Sequence, residues 1–243
     1  MTIFLSHRGE SDDAPENTLE AFQLAMKRDS DGIELDIRRT IDGALVCVHD
    51  ATLERVAGTA VEIAETPLSR IQAIHPVPLL RDALERLLPG KLMQVELKGC
   101  GTRLIPALKQ VLKEWNGNKA QLFLSSFEEE TIRSLAHEIP DLPRILLLDL
   151  EERFGVFPDA RRVAEYGKER GASGISFKAS TLATAEFVSQ LRQEGLRVVC
   201  WGISSDQLGI QMAEIGVDAM TCNHAVALRR IWREKNASGN ALH

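Results

Sequence analysis

From Gln121 onward the chain alternates short apolar runs with amphipathic stretches, and this alternation restricts the fold more than any other feature. Strands are expected at Gln121–Ser126, Arg144–Leu148, Gly174–Lys178, Arg197–Trp201 and Asp218–Cys222. Helices are expected at Glu129–Glu138, Asp159–Arg170, Thr184–Glu194, Ser205–Ile215 and Ala225–Lys235, with Gly171, Gly195 and Gly216 where helices end. Parallel strands need a long crossover, usually a helix, so the alternation predicts a parallel sheet. Upstream, strands are expected at Thr2–Ser6, around Glu34 and at Leu92–Leu97. Eight strand–helix units result, centred near residues 4, 34, 94, 123, 146, 176, 199 and 220. Eight suggests an α/β fold of the (β/α)8 TIM barrel type rather than an open doubly wound sheet. No Gly-rich dinucleotide fingerprint follows the first strand, which argues the same way.

A length of 243 residues suits one such barrel, and no linker divides it, so residues 1–243 are read as one domain. The segment at roughly 51–78 holds Pro67, Pro76 and Pro78 and only short apolar runs. It reads as a small insertion after the second barrel strand, with one short helix near Leu68–Ile74. Other helices are expected from Asn17 to about Arg28, at Leu79–Leu88 and at Leu104–Trp115. Asn17 is the expected N-cap of the first of these, with Glu20 completing a capping box.

Asp31–Asp50 carries the chemistry that the barrel must accommodate. It reads as a hairpin turning at Asp42-Gly43 and returning through Ala44–Val48 to His49-Asp50. Glu34 and Asp36 alternate with Ile33, Leu35 and Ile37, so both carboxylates share one face, roughly 6.6 Å apart along the strand. Two enclosed like charges are tolerable if a cation lies between them, and hard divalent ions favour oxygen ligands. The bland alternative is a strand with that face in water.

A hydrophobic share of 44% and a charged share of 26% are those of a soluble globular protein. The net charge of -6 and the lack of a basic run argue against nucleic acid as a partner. Cys47, Cys100, Cys200 and Cys222 form no CxxC pair, which argues against a thiolate zinc site. No signal peptide or membrane-spanning run precedes the first strand, so a reducing cytoplasm is expected and stable membrane insertion is not. The sequence permits a homodimer without calling for one.

Active sites of such barrels lie at the C-terminal ends of the strands. Polar residues expected there are His7 and Arg8, Glu34 and Asp36, Glu96 and Lys98, His49, and Trp201. Glu34, Asp36 and Glu96 would offer oxygens to Mg²⁺ or Ca²⁺. Arg8 and Lys98 could hold phosphate oxygens, and two histidines could divide the proton transfers of ester cleavage. Each has a plainer reading. Arg8 could pair with Glu16 or Asp12, Lys98 could neutralise Glu96, and Trp201 and Phe127 could be packing.

The segments HRGESDDAPENTLEAF, IELDIRRTIDGALVCVHDATLER and VELKG, in that order, resemble the glycerophosphodiester phosphodiesterase family. The resemblance covers about the first hundred residues strongly and continues through Ser125-Ser126-Phe127 and Trp201. It implies a barrel with an insertion after its second strand. It implies His7 and His49 as the acid/base pair, a metal on Glu34, Asp36 and Glu96, and phosphate between Arg8 and Lys98. Glu16, Asn17 and Asp50 look like supporting positions. Deacylated phospholipids would be the substrates, giving glycerol 3-phosphate and an alcohol. The chain departs from the family at Trp201-Gly202-Ile203-Ser204 and at Thr221-Cys222-Asn223-His224, which leaves the alcohol open. Competing readings are a phosphodiesterase of lysophospholipids and a catalytically silent barrel that binds phosphodiesters.

Overall fold

The computed structural model describes residues 2–240. In chain order the elements begin with β1 (Ile3–His7), α1 (Leu19–Lys27), β2 (Gly32–Arg39) and β3 (Leu45–Cys47). Next come α2 (Glu54–Ala57), α3 (Leu68–Ile74), α4 (Leu80–Leu84), β4 (Leu92–Leu97), α5 (Ile105–Glu114), β5 (Leu122–Ser126) and α6 (Glu129–Glu138). They are followed by β6 (Arg144–Leu148), α7 (Leu150–Phe154), α8 (Ala160–Glu169), β7 (Gly174–Lys178) and α9 (Ala185–Gln193). The series ends with β8 (Arg197–Trp201), α10 (Asp206–Glu214), β9 (Ala219–Cys222) and α11 (Ala225–Asn240).

Neighbouring strands pair in the order β1-β9-β8-β7-β6-β5-β4-β2, and β1 pairs with β2 to close the ring. These pairings are all parallel, and β3 pairs antiparallel with β2 outside the ring. The fold is the expected (β/α)8 barrel. Because side chains alternate along a strand, Leu5, Phe123, Ile145, Val199 and Ala219 form one buried cluster inside the ring. The residues between them, such as Phe4, Leu124, Val198 and Met220, join the cluster beneath the helices.

The hairpin leaves β2 through Thr40–Ala44, where Thr40 N–H donates to Ala44 O at 2.9 Å. Gly43 takes φ 93 there, a left-handed conformation that glycine adopts without strain. Val46 and Val48, in and just after β3, pack with Leu53, Ile63, Ile71 and Val77 in a small core separate from the main one.

Three local expectations need correction. Thr18, not Asn17, caps α1, accepting the Ala21 N–H, while Asn17 itself stands at φ 54. The helix expected at Leu79–Leu88 stops at Leu84, after which the chain tightens into i→i+3 turns, Arg86 N–H to Ala83 O and Leu87 N–H to Leu84 O. The insertion also holds α2 besides α3, and α7 follows β6 directly. Both are too short to show an apolar period. Cys47, Cys200 and Cys222 are buried and Cys100 is exposed. Among the described residues no helix is long and apolar enough to cross a membrane.

Candidate active site

A cavity of about 510 Å³ opens at the C-terminal ends of the strands. Its acidic and basic side is lined by His7, Arg8, Glu34, Glu96, Lys98 and His49. Phe127, Leu147, Trp201 and Ile203 line the apolar side, and Gln94 and Thr221 also reach it. Of the residues picked from the sequence, Asp36 does not line the cavity. It lies against Arg8 and Lys98, which do.

Glu34, Asp36 and Glu96 are 2%, 0% and 7% exposed, so the enclosed reading of the acidic strand face holds. One ligand oxygen from each lies within 4.8 Å of the others. They meet because β2 and β4 are adjacent and in register, with Asp36 opposite Glu96. Burial, then the charges of Asp36 and Glu96, pushes the Glu34 carboxyl well above its usual range. Burial and Asp36 likewise push Glu96 up to about 7, against the pull of Lys98. Burial would raise Asp36 too, but Lys98 and Arg8 outweigh it and hold the carboxyl low.

The loop after β1 brings Arg8 to this cluster. Arg8 and Gly9 take φ 57 and φ 83, reversing the chain at the end of the strand. A Cβ on Gly9 would lie 2.6 Å from the Ala21 backbone, so the loop requires glycine both for conformation and for space. The Arg8 N–H donates to Glu34 Oε2 at 3.2 Å, its Nε lies 3.1 Å from Asp36 Oδ2, and its NH1 donates to Glu16 at 2.9 Å. Asn17 holds Asp36 twice, donating Nδ2 to Oδ2 at 2.8 Å and accepting the Asp36 N–H at 3.1 Å. Lys98 Nζ lies 3.2 Å from Asp36 Oδ1 and 2.5 Å from Glu96 Oε1. Both oxygens are buried, and the Lys98 ammonium is their cationic partner. Three buried carboxylates converging at this spacing fit a hard cation, with Lys98 offsetting part of their charge.

The two histidines are held differently. His7 Nδ1 lies 2.7 Å from Asn223 Oδ1, and its Nε2 lies 3.9 Å from Glu34. His49 Nδ1 lies 2.7 Å from Asp50 Oδ1, and the His49 carbonyl accepts from Arg38 Nε at 2.8 Å. Both partners present acceptor oxygens, so each neutral ring carries its proton on Nδ1 and keeps the Nε2 lone pair. Burial lowers the proton affinity of both rings, and in His7 Arg8 adds to that effect. Burial would raise the Asp50 carboxyl, but hydrogen bonds from Arg55 and His49 hold it at about 2.

On the apolar side Phe127 and Trp201 meet edge to face, with ring centroids 5.2 Å apart. Trp201 Nε1 is buried without a hydrogen-bond partner. Arg55 and Asn223 escaped the sequence reading. Arg55 sits on a four-residue helix without periodicity, and Asn223 sits where the chain departs from the family pattern.

The model of the glycerophosphoryl diester phosphodiesterase family matches residues 7–227. The glycerophosphodiester phosphodiesterase of Caldanaerobacter subterraneus subsp. tengcongensis is 27% identical over 96% of this chain and 98% of its own length. The glycerophosphodiester phosphodiesterase of Agrobacterium tumefaciens superposes with a TM-score of 0.75 at 26% identity, covering 94% of this chain and 99% of that one. A phosphodiesterase of Oleispira antarctica, solved with the product sn-glycerol-3-phosphate, has a TM-score of 0.82 at 24% identity, over 95% of this chain and 96% of that one. With a match over nearly the whole chain on top of the barrel and its acidic pocket, the protein belongs to the glycerophosphoryl diester phosphodiesterase family.

Proposed function

We propose that the protein hydrolyses glycerophosphodiesters to glycerol 3-phosphate and an alcohol with a divalent cation, Mg²⁺ or Ca²⁺, held by Glu34, Asp36 and Glu96. The observation that carries this reading is the buried carboxylate triad, its oxygens converging within 4.8 Å beside a cavity that His7 and His49 also line. Such a cation would withdraw charge from the phosphoryl oxygens. Arg8 and Lys98 bring positive charge to the cavity and receive the phosphodiester anion there. One of His7 and His49 accepts the proton of the attacking oxygen at Nε2. The other, entering as the imidazolium with a proton on each ring nitrogen, gives its Nε2 proton to the departing alkoxide as its bond to phosphorus breaks, and the proton taken up by the first is returned to it over the cycle. One water is consumed over the cycle. Trp201 and Phe127 line the apolar side and would pack against the rest of the ester.

The test is release of glycerol 3-phosphate from glycerophosphocholine and glycerophosphoethanolamine with Mg²⁺, with Ca²⁺ and with EDTA. Activity should require metal, and His7→Ala and His49→Ala should each lower turnover by about 10²-fold or more. Near-normal turnover in either variant removes that histidine from its role. Phe127, 41% exposed beside Trp201, favours a second reading in which the glycerol side carries an acyl chain, as in a lysophospholipid. Choline release from lysophosphatidylcholine, without glycerol 3-phosphate from either smaller ester, would establish it.

A further inference from the structure

We infer that Arg55, supplied by the insertion, is a positioning residue that holds His49 and Arg8 in their working orientations through Asp50 and Glu16. Arg55 Nε donates to Asp50 Oδ2 at 2.6 Å, while NH1 and NH2 donate to Glu16 Oε2 and Oε1 at 2.9 Å and 2.7 Å. The remaining Asp50 oxygen meets His49 Nδ1 at 2.7 Å. Glu16 Oε1 also accepts from Arg8 NH1 at 2.9 Å. One unbroken series of charged contacts therefore runs His49–Asp50–Arg55–Glu16–Arg8, and Arg55 is its middle member.

An arginine half in solvent commonly adds little through its ion pairs. Here the pairing is different in kind, because one planar fork serves two carboxylates whose other bonds end on residues of the cavity wall. The two carboxylates come from different loops, Glu16 from the loop before α1 and Asp50 from the end of the hairpin. Both would otherwise have several rotamers from which to hold their histidine or arginine. Arg55 itself is anchored. The flanking Leu53 and Ile63 are fully buried, and backbone bonds Leu53 N–H to Val61 O at 3.1 Å and Ile63 N–H to Ala51 O at 2.9 Å brace the arm. The low Asp50 carboxyl agrees with a strong Arg55 contact. The inference thus gives the insertion a task in the reaction, and it rests on the proposed reading of His49 and Arg8.

The experiment measures kcat and KM for glycerol 3-phosphate release from glycerophosphocholine in wild type, Arg55→Met and Arg55→Lys, and again with each change on His49→Ala. Arg55→Met should lower kcat about 10- to 100-fold and raise KM severalfold, far beyond what the few-degree fall in melting temperature from losing the Asp50 contact would bring. Arg55→Lys should recover little, since an ammonium cannot fork between two carboxylates. On His49→Ala the kcat effect should vanish while the KM effect, which passes through Arg8, remains. An unchanged kcat, or an equal kcat loss with and without His49, overturns the inference. The His49 Nδ1–H resonance supplies a readout that needs no substrate. It should be slow to exchange in wild type and lost in Arg55→Met and Arg55→Lys, and its persistence in both overturns the inference whatever the reaction. A wild type that releases no glycerol 3-phosphate while Arg55→Met loses that resonance would instead count against the phosphodiesterase reading.

Discussion

At the scale of single residues, the contrast between the partners of His7 and His49 bears on acid stability. Asn223 cannot titrate, whereas Asp50 can, and its carboxyl stands at about 2 against an ordinary 3.8. A depressed carboxyl contributes stability above its ordinary value, and that contribution disappears as pH falls through the folded value. Unscreened, the shift corresponds to about 2.4 kcal/mol, and solvent screening of this partly exposed pair reduces it to about 1 kcal/mol. Wild type should therefore be more stable than Asp50→Asn at pH 5 to 7, and the gap should close as pH falls from 4 towards 2. Urea unfolding midpoints across that range check it. A gap of constant size would mean that the Asp50 contacts are equally good in the neutral form. Glu34, Asp36, Glu96, Arg8 and Lys98 could be picked from residue type and alternation, because their chemistry shows in the one-letter pattern. Arg55 and Asn223 could not, because an arginine in a polar segment and an asparagine after a strand look alike whether or not they touch a histidine.

At the scale of elements, the start of α1 separates a structural residue from a site residue one position apart. Thr18 accepts the Ala21 N–H, and Asn17 turns both ends of its amide to Asp36. Thr18→Ala should lower stability by about 1 kcal/mol and leave turnover near normal. Asn17→Ala should weaken metal binding about 10-fold or more, since it frees a carboxylate of the triad. Thermal unfolding and a metal titration of activity separate the two, and a reversal of the two effects would return the cap to Asn17. Both residues are good cap formers, so sequence order could not choose between them, whereas the left-handed backbone at Asn17 decides. The barrel strands were legible because each is a short apolar run bounded by polar turns. By contrast α2 and α7 lack a full apolar period, and the C-terminal half of the expected Leu79–Leu88 helix lost its i→i−4 bonds to tighter turns.

At the scale of the molecule, the buried triad couples folding to both protons and metal. Glu34 and Glu96 are raised, Glu96 to about 7, so their stabilising protonated forms are lost as pH rises through those values. Cation binding needs the ionised carboxylates and so releases protons near neutrality. The gain in melting temperature from Mg²⁺ or Ca²⁺ over EDTA should therefore grow from pH 5 to pH 8. Taking the difference cancels histidine contributions common to both arms. A gain that is flat across this range would argue that the cation binds elsewhere.

The first and last strands of the chain, β1 and β9, lie side by side in the ring, where Ile3 pairs with Ala219 and Thr2 Oγ1 donates to Val217 O at 2.8 Å. Partners so far apart in the chain meet late on the ribosome. At roughly 5–20 residues per second, β1 emerges about 10–40 s before its β9 neighbour exists. Until then the growing sheet presents a raw strand edge to every other nascent chain nearby. Synthesis interrupted anywhere before Ala219 would thus leave an adhesive fragment rather than a smaller barrel. Early termination of this message should load the cell's chaperones rather than yield partial activity.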